Sequence, residues 1–70
     1  MLYTVKEVSE IIRTNPTYVY RLISSGKLPA IKLGTYKVRR EALETFLLEH
    51  EGMDATDPED VRPLRRKAAM

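Results

Sequence analysis

The stretch from Asn15 to Gly26 constrains the fold most, because it is typical of one short helix with both ends marked. Asn15 is a preferred N-cap, Pro16 suits the first helical position, and Gly26 can take the left-handed conformation that ends many helices. Apolar residues recur inside it at helical spacing, which predicts one narrow stripe that faces a core. That stripe consists of Val19, Leu22 and Ile23.

The other face of this predicted helix carries hydrogen-bonding and phosphate-seeking groups and no acid. Such a face is expected of a helix that lies against nucleic acid, because hydroxyl and guanidinium groups bind phosphates and base edges. An ordinary solvated face is the alternative. The residues of this face are Thr17, Tyr18, Tyr20, Arg21, Ser24 and Ser25.

Charges are unevenly distributed along the chain, although the formal net charge is only +2. From Arg13 through Arg40 there are seven basic residues and no Asp or Glu, and all ten acids lie outside this window. A solvated protein surface normally mixes both signs. A basic window of this length therefore favours a polyanionic partner, of which DNA and RNA are the commonest.

Another helix is predicted ahead of this one, from about Val5 to Ile12. Thr4 and Glu7 have the spacing of a capping box, and Tyr3 and Val8 have the spacing of the hydrophobic staple that often accompanies it. Its expected apolar stripe is Val5, Val8, Ile11 and Ile12.

The connection between these two helices is very short, since Arg13 and Thr14 alone separate Ile12 from the cap at Asn15. Two helices with apolar stripes and so short a connection describe a helix-turn-helix unit. Arg13 lies where the chain is expected to need a positive φ, which costs a residue other than glycine about 1 kcal/mol.

After Pro29 the sequence period changes from helical to two, which predicts a β-hairpin. Its strands cover residues 30–33 and 36–39, and Gly34 and Thr35 form a two-residue loop of type I′ or II′. This hairpin is interpreted as a basic wing. A solvated hairpin whose lysines discourage edge pairing is the alternative.

A two-residue loop also determines which residues of the hairpin face each other. It predicts four apolar residues on one face and places Lys32 opposite Lys37 on the other face. Two opposed lysines cost a few tenths to about 1 kcal/mol unless their face meets an anion. The predicted apolar pairs are Leu33 with Tyr36 and Ile31 with Val38.

A third helix is predicted from about Arg40 to His50 and is ended by Gly52. Glu41 and Glu44 lie near its N-terminus, where acids interact favourably with the helix dipole. Leu48 lies off the apolar stripe and is interpreted as an ordinary surface residue, with a partner contact as the alternative. The expected stripe is Ala42, Leu43, Phe46 and Leu47.

The segment after this helix has no periodicity, and it contains two prolines, an acidic cluster and then a basic cluster. It lacks the apolar surface to offset the entropy of ordering. The sequence therefore predicts a domain at residues 1–52 and a disordered, flexible charged tail at residues 53–70. We expect the basic end of the tail to contact phosphates or a protein partner, with an inert tail as the alternative. The acidic cluster is Asp54, Asp57, Glu59 and Asp60, and the basic cluster is Arg62, Arg65, Arg66 and Lys67.

The residue set argues against catalysis and against a metal or cofactor site. The chain has no Cys and a single His, so neither a thiolate metal site nor a converging catalytic set can be assembled. The N-terminus does not resemble a signal peptide, and no stretch approaches the ~18 apolar residues of a membrane span. We expect a soluble, cytoplasmic, nucleoid-associated protein that is not an enzyme and does not bind membranes.

Several short strings of this chain occur together in one known family. They are TVKEV from Thr4, VYRLI from Val19, GKLPA from Gly26, the pair Leu33-Gly34, and REAL from Arg40 followed by Phe46-Leu47. Across almost all of residues 4 to 47 the chain thereby resembles the excisionase-type, MerR-like helix-turn-helix DNA-binding family. The resemblance implies a mainly α fold with a small β-hairpin, a winged helix-turn-helix. The chain departs from the family at Arg13, where Gly is common, and in its wing loop, which is one residue shorter.

The resemblance implies double-stranded DNA binding, with the second helix in the major groove and the wing on the backbone or adjacent minor groove. Thr17, Tyr18 and Arg21 are expected in the groove, and Tyr20 and Ser24 at its margins. Arg21 is the best candidate for a bidentate contact to guanine. The expected wing contacts are Lys32, Thr35 and Lys37, and the expected phosphate neighbours are Lys6, Lys27 and Arg39.

Within this family the resemblance leaves two functions open. The first is an excisionase, or recombination directionality factor, of a phage or integrative element. Such a protein would bend DNA and help a tyrosine integrase, which it would contact through the tail. The chain length favours this function. A small transcriptional regulator is the alternative, and a protein-binding or antitoxin-like module without DNA binding is a weaker one. One such domain buries little surface, so we expect cooperative self-association on repeated half-sites or a second protein.

Overall fold

The computed structural model describes residues 1–64 and contains three helices and two small antiparallel sheets. This arrangement confirms the predicted winged helix-turn-helix. The strands are β1 (Leu2–Thr4), β2 (Ile31–Leu33), β3 (Thr35–Arg39), β4 (Met53–Asp54) and β5 (Arg62–Pro63). The helices are α1 (Val5–Ile11), α2 (Pro16–Ser24) and α3 (Arg40–Glu49).

The caps of α1 and α2 agree with the prediction. Thr4 and Glu7 form a capping box, in which the Thr4 N–H donates to Glu7 Oε1 at 2.9 Å and the Glu7 N–H donates to Thr4 Oγ1 at 3.1 Å. The Asn15 side chain accepts from the Tyr18 N–H at 2.9 Å and begins α2. Arg13 has a φ of 59°, so the turn does place a residue other than glycine in the left-handed region.

The hydrophobic core lies between the three helices and the inner face of the larger sheet. Ile11 and Leu47, which the helical stripes place in it, are 48% and 41% exposed, so that part of the prediction is wrong. At about 3.6 residues per turn both lie at the edge of their stripes, and on α1 the buried Ser9 completes the face instead, its hydroxyl donating to the Lys6 carbonyl at 2.7 Å. The core residues are Val5, Val8, Val19, Leu22, Leu28, Val38, Leu43 and Phe46.

The larger sheet has three strands in the order β1-β3-β2, because the N-terminal residues pair with the outer strand of the hairpin. Tyr3 lies opposite Val38, which places Val38 in the core with no exposed surface. The sequence did not predict β1. β3 therefore pairs with β1 on one side and with β2 on the other, so the wing is part of a three-stranded sheet.

The register of the hairpin differs from the predicted one by a residue. Gly34 alone connects β2 to β3, with a φ of 80°, so Ile31 lies opposite Lys37 and Lys32 opposite Tyr36. A shift of one residue moves the side chains of a strand to the other face. Ile31 and Leu33 are accordingly 43% and 59% exposed, and the predicted pairs of Ile31 with Val38 and Leu33 with Tyr36 are wrong.

Residues 53–64 form structure that the sequence did not predict. β4 and β5 pair in antiparallel fashion, and the Leu64 N–H donates to the Gly52 carbonyl at 2.9 Å. Pro58, in the loop between these strands, is fully buried. The flexibility of residues 53–70 as a unit stays a prediction, and the basic residues Arg65, Arg66 and Lys67 lie outside the described residues.

Candidate nucleic-acid interface

The face of α2 that points away from the core brings together four of the five candidates on this helix. Thr17, Tyr20, Arg21 and Ser24 recur at spacings of three and four residues, which is one side of a helix, and all four are exposed. Tyr18 is half-buried at the edge of this face. The grouping follows from the local signals at Asn15 and Gly26, because these fix where the helix begins and ends.

A cleft of about 310 Å³ separates α2 from the wing. Tyr20 on α2 and Tyr36 on β3 meet across it edge to face, with ring centroids 6.1 Å apart. The helix and the wing therefore present one continuous surface. The cleft is lined by Thr17, Tyr20, Arg21, Ile23, Ser24 and Tyr36.

The three wing candidates do not share one face. Lys37 and Thr35 lie on the outer face of the sheet, and Lys37 Nζ donates to Thr35 Oγ1 at 2.7 Å. Lys32 lies on the other face, with its Nζ 5.3 Å from the centroid of the Tyr36 ring. The expectation that Lys32 and Lys37 face each other is wrong, because the one-residue connection places Lys32 opposite Tyr36.

The three expected phosphate neighbours lie outside the cleft between α2 and the wing. Lys27 and Arg39 line a second cleft of about 440 Å³ beside α3. In this cleft Arg39 Nη2 lies 3.5 Å from Glu41 Oε1, so the surface carries both positive and negative charges. Lys6 is exposed on α1 and lines neither cleft.

An acidic segment lies against α2, and sequence reasoning missed it. We name residues 54–60 the acidic strap, because they include four acids and no basic residue. Arg21 Nη2 donates to Asp57 Oδ1 at 2.8 Å, and the Tyr18 hydroxyl donates to the Ala55 carbonyl. The basic window of the sequence is therefore not a surface of one sign in the folded chain.

Local hydrogen bonds shape the acidic strap. Asp54 accepts from the N–H and hydroxyl of Thr56 at 3.0 and 2.7 Å, and Asp57 accepts from the Glu59 N–H at 3.0 Å. In each of these turns the Asp side chain accepts a hydrogen bond from the backbone N–H two residues later in the chain. The spacing of Asp54, Asp57 and Pro58 could have predicted turns here, although it gives no sign that the strap reaches α2.

Two pKa values are shifted where the strap meets α2. Burial raises the pKa of Tyr18 from 10.0, with the nearby Arg21 opposing this effect and Asp54 and Asp57 adding to it. Hydrogen bonds from the hydroxyl and backbone of Thr56 lower the pKa of Asp54 from 3.8. At neutral pH the Tyr18 hydroxyl is thus a donor and Asp54 is an anion.

Residues 1–64 contain neither a candidate metal site nor a candidate membrane-spanning helix. No group of three or more His, Cys, Asp or Glu side chains in this part of the chain could hold a metal ion. Over the same residues, no helix has the length and apolar character needed to cross a membrane.

Proteins with similar sequences carry names that refer to DNA binding. The chain is 38% identical over 47 residues to two proteins of Mycobacterium tuberculosis, "Putative DNA-binding protein Rv0500A" of strain H37Rv and "Putative DNA-binding protein MT0521" of strain CDC 1551. The match covers 66% of this chain and 60% of each relative, so the chain spans less than two thirds of the length of these curated relatives. No solved structure matches significantly. The model of the helix-turn-helix domain, a DNA-binding family, matches residues 2–51, and the chain therefore belongs to that family.

Proposed function

We propose that this protein binds double-stranded DNA at specific sequences, with α2 in the major groove and the wing against the backbone. The observation that carries the proposal is the exposed side of α2, where Thr17, Tyr20, Arg21 and Ser24 stand beside the wing across one cleft. Helix-turn-helix proteins place their second helix in the major groove in this way. The names of the mycobacterial relatives support the same function.

Each group on this surface has a chemical role in the proposal. Arg21 carries the planar donor set that pairs with guanine O6 and N7. Thr17, Tyr20 and Ser24 supply hydroxyls for base edges or phosphates, and Tyr18 joins them where the strap leaves it accessible. The wing groups Thr35 and Lys37 and, on the inner face, Lys32 bind backbone, as do Lys6, Lys27 and Arg39 further away.

We further propose that the protein acts as an excisionase, an architectural factor that bends DNA and helps a tyrosine integrase to excise a mobile element. The similarity of residues 4 to 47 to excisionase-type domains supports this function. A small domain of this kind buries little DNA, so adjacent copies or a second protein complete the binding. Regulation of a promoter is the alternative use of the same surface.

The test is a selection of bound duplexes from a random DNA pool at two salt concentrations, with the whole chain as bait. Recovery of a short motif, repeated at helical spacing, supports sequence-specific binding, and its position beside attachment sites or promoters separates excision from regulation. If four to six phosphates are neutralised, log K against log salt has a slope of about −4 to −5. Recovery of no duplex above background at the lower salt rejects DNA binding in favour of a protein-binding module.

A further inference from the structure

We propose that the acidic strap is an intramolecular substitute for DNA: it occupies Tyr18 and Arg21 on α2 and is displaced when DNA binds. The proposal rests on the proposed function of α2 as the DNA-reading helix. It adds that the acidic strap of the same chain competes with DNA for the side chains of Tyr18 and Arg21.

The strap offers α2 oxygen acceptors of the kind that DNA also offers. The Arg21 guanidinium donates to a carboxylate oxygen of Asp57 at 2.8 Å, and guanidinium groups pair with carboxylates and phosphates through the same donor geometry. The Tyr18 hydroxyl donates to the Ala55 carbonyl oxygen, a neutral acceptor in the place of a phosphate or sugar oxygen. The strap engages the Tyr18 hydroxyl and one donor group of Arg21, so DNA that binds the same donors must replace these partners.

Within the strap, Asp57 is the acid that reaches α2. Asp60 pairs with Arg62 at 2.9 Å, and Asp54 accepts from Thr56. Arg21 is the basic group that faces Asp57 from the helix. Removal of the charge at Asp57 therefore tests the contact with α2, whereas the same change at Asp60 alters the strap without touching the helix.

The strap is held to α2 weakly enough to be displaced. The Arg21 and Asp57 side chains are 44% and 54% exposed, and ion pairs this accessible to solvent are weak. A cleft of about 490 Å³, lined in part by Asn15, Tyr18 and Thr56, lies between the start of α2 and the strap. The buried Pro58 keeps the strap in the folded molecule, so it is close to α2 at a high effective concentration.

The experiment compares Asp57→Asn with Asp60→Asn, since each change removes one negative charge and keeps the size of the side chain. An asparagine at position 57 can still accept from the Glu59 N–H, which preserves the local turn. Affinity is measured by fluorescence anisotropy with the duplex recovered by selection. We expect Asp57→Asn to bind up to about fivefold more tightly than the unmodified chain, and Asp60→Asn to gain much less.

A second measurement follows the strap itself. Backbone amide NMR of the ¹⁵N-labelled chain should show increased motion at the amides of residues 55–57 in Asp57→Asn without DNA. In the unmodified chain, addition of the duplex should shift the Ala55 and Thr56 amides and increase their motion.

Each remaining outcome decides against a part of the proposal. Weaker binding by Asp57→Asn overturns it, because the strap would then support Arg21 rather than compete for it. Equal gains in both variants overturn it in favour of a net-charge effect. Tight binding with unchanged strap amides rejects displacement and leaves the proposed function standing, whereas no binding by any variant rejects the proposed function and the competition with it.

Discussion

The Tyr20 and Tyr36 rings meet edge to face, with their planes inclined by 67°. Tyr20 belongs to α2 and Tyr36 to β3, so this pair joins α2 to the wing across the cleft. The Lys32 ammonium also contacts the Tyr36 ring, with its nitrogen 5.3 Å from the ring centroid. Tyr36 thus adds a side-chain contact between the wing and α2 to the pairing of β3 with β1 and the burial of Val38.

Tyr36→Ala should loosen the wing and weaken DNA binding. Edge-to-face pairs contribute about 0.5–1.5 kcal/mol beyond the area they bury, and we expect at least this loss in the free energy of unfolding. Tyr36→Phe keeps the ring and is the matched control, with near-normal stability. Urea unfolding and duplex titration measure both effects. Equal losses of stability in the two variants would assign the effect to the hydroxyl and contradict the role of the ring pair.

Arg21→Ala should reduce specific DNA binding by about 1–3 kcal/mol, because it removes the proposed contact to guanine. The fold should persist, since Arg21 is exposed and lies outside the core. Arg40→Ala is the control, because it removes the same charge from the exposed side of α3, where Arg40 pairs with Glu44. An unchanged binding isotherm for Arg21→Ala, with the circular dichroism spectrum intact, would show that α2 does not read the groove through this residue.

Arg13→Gly should stabilise the protein. A left-handed conformation costs a residue other than glycine about 1–2 kcal/mol, and Arg13 has a φ of 59°. The greater unfolded-state entropy of glycine offsets about 0.5–1 kcal/mol of this, so the expected gain is at most about 1.5 kcal/mol. Arg13→Ala removes the charge without relieving the backbone and should show no gain. A rise of the urea midpoint in both variants would attribute the effect to charge instead.

The parts of this fold that the sequence predicts are those that depend on residues close together in the chain. The caps at Thr4 and Asn15 and the positive φ at Arg13 depend on residues within one turn of each other, and all three are confirmed. The grouping of Thr17 and Arg21 on one exposed face follows from the helical period alone. The α2 half of the candidate surface is therefore predictable from the amino-acid sequence.

The parts that the sequence does not predict depend on distant pairing. The hairpin register differs from the predicted one because Gly34 alone connects the strands and because β1 fixes Val38 against the core. Contact between Asp57 and Arg21 joins residues far apart in the chain, and no local pattern encodes it. Polar composition indicates a tail without structure, whereas the burial of Pro58 depends on the tertiary fold.

Alkaline pH should destabilise the fold through Tyr18. Burial raises the pKa of this phenol in the folded state above its usual 10.0, so the protonated form stabilises the fold. That contribution is fully present below about pH 10 and is lost as the pH rises through the raised value. Urea unfolding across this range should show a steeper loss of stability for the unmodified chain than for Tyr18→Phe, which has no proton to lose. Tyr20→Phe retains Tyr18 and should keep the steep loss. Parallel curves for the unmodified chain and Tyr18→Phe would contradict the raised pKa of Tyr18 in the folded state.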